Sequence, residues 1–180
     1  MEQYLEGFFH SSADIIQWRE KNFSRQENRE FIKTGIELSQ QHSKLFLIGS
    51  DLNLALEEGA NGVHLSSDQD LAEVLDAVGS SCPGFIIGKS THSIEEAISA
   101  EAEGADYVTL SPIYEPYSRE FDYPLLGLTT LRSVAQTLSI PVFALGGVDL
   151  KRLDVISAAG AAGIAGTRWV IDELKDSGYF

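Results

Sequence analysis

Apolar runs alternate with amphipathic stretches along nearly the whole chain. In "KLFLIG", "GFIIGK" and "PVFALGG" apolar residues stand at consecutive positions, the pattern of strands covered on both faces. This pattern predicts strands over residues 14–20, 44–49, 62–65, 84–88, 106–111, 141–145 and 162–166. Helical spacing predicts helices over 24–42, 51–59, 68–79, 93–104, 127–137 and 149–159, with a last one from about 168. The opening "MEQYLEGFFHSSAD" reads as a further helix, because Leu5, Phe8 and Phe9 fall on one side of it. Punctuation agrees: Ser93 is placed as an N-cap with Glu96 three residues on, and Gly104 stops the helix.

A short unit recurs in "EEGANGVHL", "EAEGADYVTL" and "ISAAGAAGIAG": a helix end, Gly-Ala, a polar residue or alanine, then a strand. Its repetition marks a serial β/α fold. No low-complexity stretch or linker interrupts it, so residues 1–180 are read as one domain. Two architectures share this alternation, the open doubly wound sheet and the (β/α)8 barrel. The open sheet usually carries a glycine fingerprint after its first strand, whereas here that strand runs into "QWREKN". Polar residues instead follow nearly every strand: Arg19 and Lys21, Ser50 and Asp51, Ser66 and Asp68, Lys89 and Ser90, Ser111, Gly146 and Gly147, and Arg168. A barrel gathers such strand ends around one mouth. The expectation is an α/β fold of the TIM (β/α)8 type with seven visible strands.

Composition narrows the function classes. The chain has 180 residues, 43% of them hydrophobic, enough for one good core. No apolar run approaches the roughly 20 residues that span a bilayer, and the acidic N-terminus does not read as a signal peptide. Cys82 is the one cysteine, which leaves no internal disulfide and fits a reducing cytoplasm. A net charge of −14 argues against a nucleic-acid backbone as partner. Yet Arg19, Lys21, Lys89, Arg119 and Arg168 all stand at or just beyond predicted strand C-termini. An acidic chain that gathers its cations there is expected to hold an anion. Gly146 and Gly147 let backbone N–H groups approach a ligand before the next helix, and Arg168 follows the next strand. In "DIIQWREKNF", strand alternation places Gln17, Arg19 and Lys21 on one face.

The stretches "IIQWREK", "EEGANGVHLSSDQDL", "IIGKSTHSIEEAISAEAEGADYVTLSPIYEP" and "IPVFALGGVDLKRLDVISAAGAAGIAG" resemble thiamine phosphate synthase and its relative thiazole tautomerase, from about residue 14 to 170. The resemblance implies a transferase that joins hydroxymethylpyrimidine diphosphate to a thiazole phosphate and releases diphosphate. It implies that Gln17, Arg19 and Lys21 hold the diphosphate, with Ser90 and Thr91 adding hydroxyls. It assigns Arg19, Lys21 and Ser90 to the catalytic step, and Gly146 and Gly147 to the thiazole phosphate. Negative charge grows on the leaving oxygens, so fixed positive donors stabilise the transition state more than the ground state.

Departures from the family pattern are as informative. Where the family has Asn-Asp after a strand, with the aspartate on Mg2+, this chain has Gly49-Ser50; at the second metal aspartate it has Gln69. Asp51, Asp68 and Asp70 stand nearby but displaced, and a one-residue shift on a helix turns a side chain by about 100°. The expectation is that Mg2+ enhances binding weakly or not at all. The family's Thr-Lys pair becomes Ser118-Arg119, and Thr167-Arg168 stands where a serine lies near the phosphate. The tautomerase alternative needs a histidine where this chain has Pro112, although His64 and His92 remain. A non-catalytic phosphate-binding relative is the third reading. The family also has a strand before the first helix, which the sequence does not display. From that, the seam between strands 14–20 and 162–166 is expected to be narrowed or covered by a second copy, giving a homodimer. Small phosphorylated molecules are the expected ligands, with neither nucleic acid nor membrane as partner.

Overall fold

The computed structural model describes residues 2–79, 82–116 and 123–179. Seven strands form one sheet in sequence order: β1 Ile15–Trp18, β2 Leu45–Gly49, β3 Gly62–Leu65, β4 Ile86–Thr91, β5 Tyr107–Leu110, β6 Val142–Leu145 and β7 Gly163–Ala165. Pairing is parallel in β1–β2, β2–β3, β4–β5, β5–β6 and β6–β7. Between the strands run α2 Arg25–His42, α3 Leu52–Glu58, α4 Leu71–Val78, α5 Ile94–Glu103, α6 Gly127–Thr137 and α7 Leu153–Ala158, the last preceded by a 3-10 turn over Leu150–Arg152. Helix α1, Glu2–His10, opens the chain and α8, Arg168–Asp176, follows β7. This is an α/β fold of the TIM (β/α)8 type with seven strands, as the alternation of apolar runs predicts.

Local chemistry accounts for the element ends. Ser24 accepts from the Glu27 N–H while the Glu27 carboxylate takes the Ser24 N–H at 2.8 Å, a complete capping box at the start of α2. At α5 Ser93 caps as expected, but the Glu96 carboxylate reaches one residue further back, to the His92 N–H at 2.8 Å. The C-terminal Gly104 takes φ 107°, a conformation that costs other residues a steric penalty.

Two strands differ from the sequence expectation in ways that bear on function. The first strand ends at Trp18 rather than residue 20. The Trp18 ring stacks on Phe31 of α2 at 5.2 Å and its Nε1–H donates to Asn28 at 2.8 Å. The Asn28 amide then donates to the carbonyls of Glu20 and Phe23 at 3.3 Å, drawing residues 19–24 around the helix start. The fourth strand is shifted to Ile86–Thr91, because a Phe85-to-Cys82 turn precedes it and its pairing with β5 runs on through Ser90↔Thr109 and Thr91↔Leu110.

The chain divides into two compact units, one of Met1–His64, Val78–Ile86 and Val170–Phe180, the other of Leu65–Ala77 and Ile87–Trp169. In the first, Phe9, Ile32, Phe46, Leu54, Val63 and Leu174 are buried. Gly35 lets α2 approach β2, since a Cβ there would stand 2.3 Å from the Phe46 ring. In the second, Leu71, Ile87, Val108, Leu110, Leu131, Ala144 and Ile156 are buried. There the Tyr107 ring lies over Gly88 and meets Phe143 edge-on at 5.5 Å.

Candidate functional site

In the first unit the C-terminal ends of β1 and β2 bring Gln17 and Arg19 together. Parallel register sets Gln17 beside Leu47 and Trp18 beside Ile48, and Gly49 beside His64 of β3. Both polar side chains lie over Gly49: a Cβ there would stand 2.7 Å from Gln17 Nε2, 2.8 Å from Arg19 Cβ and 2.9 Å from Arg19 Cγ. Gln17 and Arg19 are exposed, so their donors are accessible to a ligand. Below them His64 is buried, and the Ser50 N–H donates to its carbonyl at 2.9 Å. Burial, and secondarily the charge of Arg19, push the His64 imidazole down to about 4. At neutral pH it is uncharged. Lys21 lies in an exposed bend past the strand, so alternation no longer fixes which way it faces. The expected three-residue face is therefore corrected to two residues plus a loop cation.

The second unit holds the remaining candidates. Because β4 runs on to Thr91, the trio Lys89, Ser90 and Thr91 sits in a strand rather than after it, and alternation turns Ser90 away from the other two. Thr91 is 1% exposed and its hydroxyl donates to the Thr109 carbonyl at 2.9 Å. Lys89 is buried too, with its ammonium on the Gln69 backbone carbonyl. Neither presents its polar group to a ligand here. Ser90 is half-buried and pairs in register with Thr109.

Gly146 and Gly147 adopt φ 88° and 61° just past β6. A Cβ on Gly146 would stand 2.8 Å from Pro112 Cα, and one on Gly147 2.4 Å from the Glu115 carbonyl oxygen. Glycines are required at both, by conformation and by space. The loop after β5 is fastened alongside: Ile113 N–H donates to the Leu145 carbonyl at 2.9 Å and Tyr114 N–H to that of Gly146 at 3.0 Å. Arg152, which the sequence reading placed only inside a helix, donates to the Gly147 carbonyl and lies over the Tyr114 ring at 4.5 Å. Its signal was a cation one turn beyond a glycine pair. Tyr114, Glu115, Pro116 and Arg152 line a cavity of about 420 Å³. Thr167 and Arg168 are exposed at the start of α8. Since Ala165 of β7 pairs in register with Leu145 of β6, they leave a strand end adjacent to the glycine pair. Ser118 and Arg119 lie outside the described residues.

Of the histidines, His92 is engaged structurally. Its Nδ1 lies 2.9 Å from the Ser111 carbonyl, and its ring stacks on Tyr123 at 3.7 Å. Pro112 is buried at the position where a tautomerase would need a proton carrier.

The carboxylates considered for Mg2+ are bound up in their own turns. Asp51 caps α3, accepting from the Leu54 N–H at 2.9 Å. Asp70 accepts from Ala72 N–H at 2.8 Å and Glu73 N–H at 3.3 Å at the start of α4. Asp68 accepts from the Ser66 hydroxyl. Among the described residues no group of three or more His, Cys, Asp or Glu could hold an ion. Mg2+ is commonly held by one or two carboxylates together with substrate phosphate oxygens and water, and here each of the three carboxylates already accepts within its own turn.

Comparison with known proteins gives a consistent result. A family model described as thiamine monophosphate synthase matches residues 1–170. The thiamine-phosphate synthase of Chlorobium phaeovibrioides is 39% identical over 153 residues, 85% of this chain and 72% of that protein. That of Methanoculleus marisnigri is 36% identical over 165 residues, 89% of this chain and 75% of that one. A solved structure of thiamine phosphate pyrophosphorylase from Pyrococcus furiosus matches with a TM-score of 0.82 at 28% identity, covering 97% of this chain and 86% of that chain.

Proposed function

Since the chain belongs to the thiamine monophosphate synthase family, we infer that it is a transferase of thiamine biosynthesis, joining hydroxymethylpyrimidine diphosphate to a thiazole phosphate with release of diphosphate. The bond from the pyrimidine methylene carbon to the diphosphate oxygen breaks, and the thiazole nitrogen forms the new bond to that carbon. The protein's task is to stabilise charge that develops on the departing oxygens. Arg19 offers two parallel N–H donors to adjacent oxygens, Gln17 an amide N–H, and Lys21 a mobile charge from the loop. Ser90 supplies a hydroxyl from β4. The thiazole phosphate is held by the backbone amides of Gly146 and Gly147, with Thr167, Arg168 and the first amides of α8. Arg152 positions that loop by its bond to the Gly147 carbonyl.

One observation carries the diphosphate assignment: Arg19 and Gln17 are seated together over Gly49, beside a histidine kept neutral by burial and by that same charge. No step is routed through a metal, because Gly49-Ser50 and Gln69 replace the family's metal-ligand positions. The tautomerase reading is set aside, with Pro112 in place of the proton carrier and the relatives named synthases. We place the enzyme in the cytoplasm, on its one cysteine and the nature of its relatives' pathway; no helix among the described residues is long and apolar enough to cross a membrane.

Calorimetric titration with inorganic diphosphate, with and without Mg2+, tests this. Arg19→Ala should weaken binding by at least about 1.5 kcal/mol, roughly tenfold, the lower range for a charge-assisted hydrogen bond. An unchanged affinity would remove Arg19 from the diphosphate site.

A further inference from the structure

We propose that the indole N–H of Trp169 is a further phosphate donor, the side-chain member of the anion site at the start of α8. The proposal rests on the reading of the glycine pair and of α8 as the thiazole-phosphate site, and it names one more group that binds there. Trp169 is the second residue of α8, a helix of nine residues. It is 8% exposed, and its Nε1 is closed off from solvent. Among the described residues no acceptor meets that N–H. The other tryptophan of the chain shows the ordinary outcome, since the Trp18 Nε1–H donates to Asn28 at 2.8 Å. A buried donor without a partner carries the full cost of its lost hydration, so such groups are rare and have a reason.

The reason lies in what the pyrrole edge of the indole faces. Gly166, exposed in the turn between β7 and α8, takes φ 153°, a conformation that side chains resist. A Cβ there would stand 3.5 Å from Trp169 Cδ1 and 3.8 Å from Nε1, ordinary contact distances. The glycine leaves that room open, so the orphan N–H borders the exposed turn rather than the core. The same turn opens α8, whose first N–H groups have no intrahelical acceptor and form the positive end of the helix dipole. The β6–β7 ladder ends at Leu145↔Ala165, so Gly146 and Gly166 are the next residues on their strands. Helix end and indole are separate observations of one polarity: each donates, and neither accepts. The ligand class that this polarity selects is a phosphate monoester, whose terminal oxygens accept from backbone amides and indole together. Since Nε1 is closed to solvent, the phosphate oxygen reaches it as the exposed turn at 166–168 shifts to admit it.

The test is a titration of the 15N-labelled protein with inorganic phosphate, followed by NMR. The chain has two tryptophans, so its two indole N–H resonances are assigned through Trp18→Phe. Phosphate should move the Trp169 indole proton downfield, as a charge-assisted hydrogen bond does, and leave that of Trp18 in place. The backbone amides of Gly147 and Arg168 should move along the same saturation curve. In Trp169→Phe, which keeps an aromatic ring without the N–H, the affinity read from those two amides should fall about tenfold. Shifts at Gly147 and Arg168 with a stationary Trp169 indole would overturn the proposal and leave the phosphate site standing. Unchanged affinity in Trp169→Phe would do the same. No shift at either backbone amide would instead remove the reading beneath the proposal. The wild-type titration decides between these outcomes even where Trp169→Phe does not fold.

Discussion

His64 has one protonation state to offer at physiological pH, and the fold is linked to it. In the unfolded chain its imidazole takes up a proton near the ordinary 6.5, whereas in the folded protein it does so only near 4. As pH falls through that window the unfolded state gains a proton that the folded state refuses, so stability declines from pH 6.5 to pH 4. The loss amounts to about 3 kcal/mol at most, from 1.36 kcal/mol per unit. Urea unfolding followed across this range should show that decline in the wild type, and His64→Gln should flatten it relative to the wild type. Parallel profiles for the two proteins would place the pH sensitivity elsewhere. At this scale the sequence was legible where a residue acts by what it carries: Gln17 and Arg19 announce a polar strand end. It was illegible where a residue acts by its place in the fold, as Arg152 does in holding the Gly147 carbonyl. It also misled where the strand phase was wrong. Lys89 and Thr91 look like loop residues in "GKSTHS", but pairing with β5 carries the strand through them and turns their polar groups inward.

Element boundaries follow local rules closely enough that most helices were readable within a residue or two, and the caps explain why. The same caps decide what the aspartates do. Asp51 lies one residue before α3 and takes the Leu54 N–H, a task that asparagine performs about as well. A Mg2+ ligand would not tolerate that exchange, because the metal requires the negative charge. Asp51→Asn should therefore keep both stability and diphosphate affinity, whereas Asp51→Ala should cost about 1 kcal/mol of stability in urea unfolding. Diphosphate binding measured with EDTA should match that measured with Mg2+ in all three proteins. If EDTA abolished binding in the wild type and Asp51→Asn behaved like an EDTA-treated sample, Asp51 would be a metal ligand after all. Helix α2 shows the limit of such rules: its capping box predicts where it starts, but only the Asn28 amide, gathering the Glu20 and Phe23 carbonyls, explains why β1 stops at Trp18.

For the whole molecule, the recurring Gly-Ala unit made the serial order of strands readable, and the sheet follows it without a crossover from β1 to β7. What repetition does not encode is how the two ends of that order are covered. β1 has four residues and its one neighbour in the order is β2; β7 has three and its neighbour is β6. An end strand leaves alternate N–H and C=O groups without a ladder partner, and such edges attract further strands. Both strands are short, which limits the hazard, but both carry apolar residues that are only half-buried: Ile15 in β1, and Ile164 and Ala165 in β7. The net charge of −14 opposes indiscriminate aggregation and favours a defined contact over an open-ended one. We expect a second copy of the 180-residue chain to cover these edges. Sedimentation at micromolar concentration should then give twice the 19.7 kDa of one chain. Hydrogen exchange should show amides of Ile15–Trp18 and Gly163–Ala165 that slow as concentration rises, while those of the interior strand β5 stay constant. A monomer at all concentrations, with exchange at both edges independent of dilution, would mean that the edges are left to solvent and protected by their brevity alone.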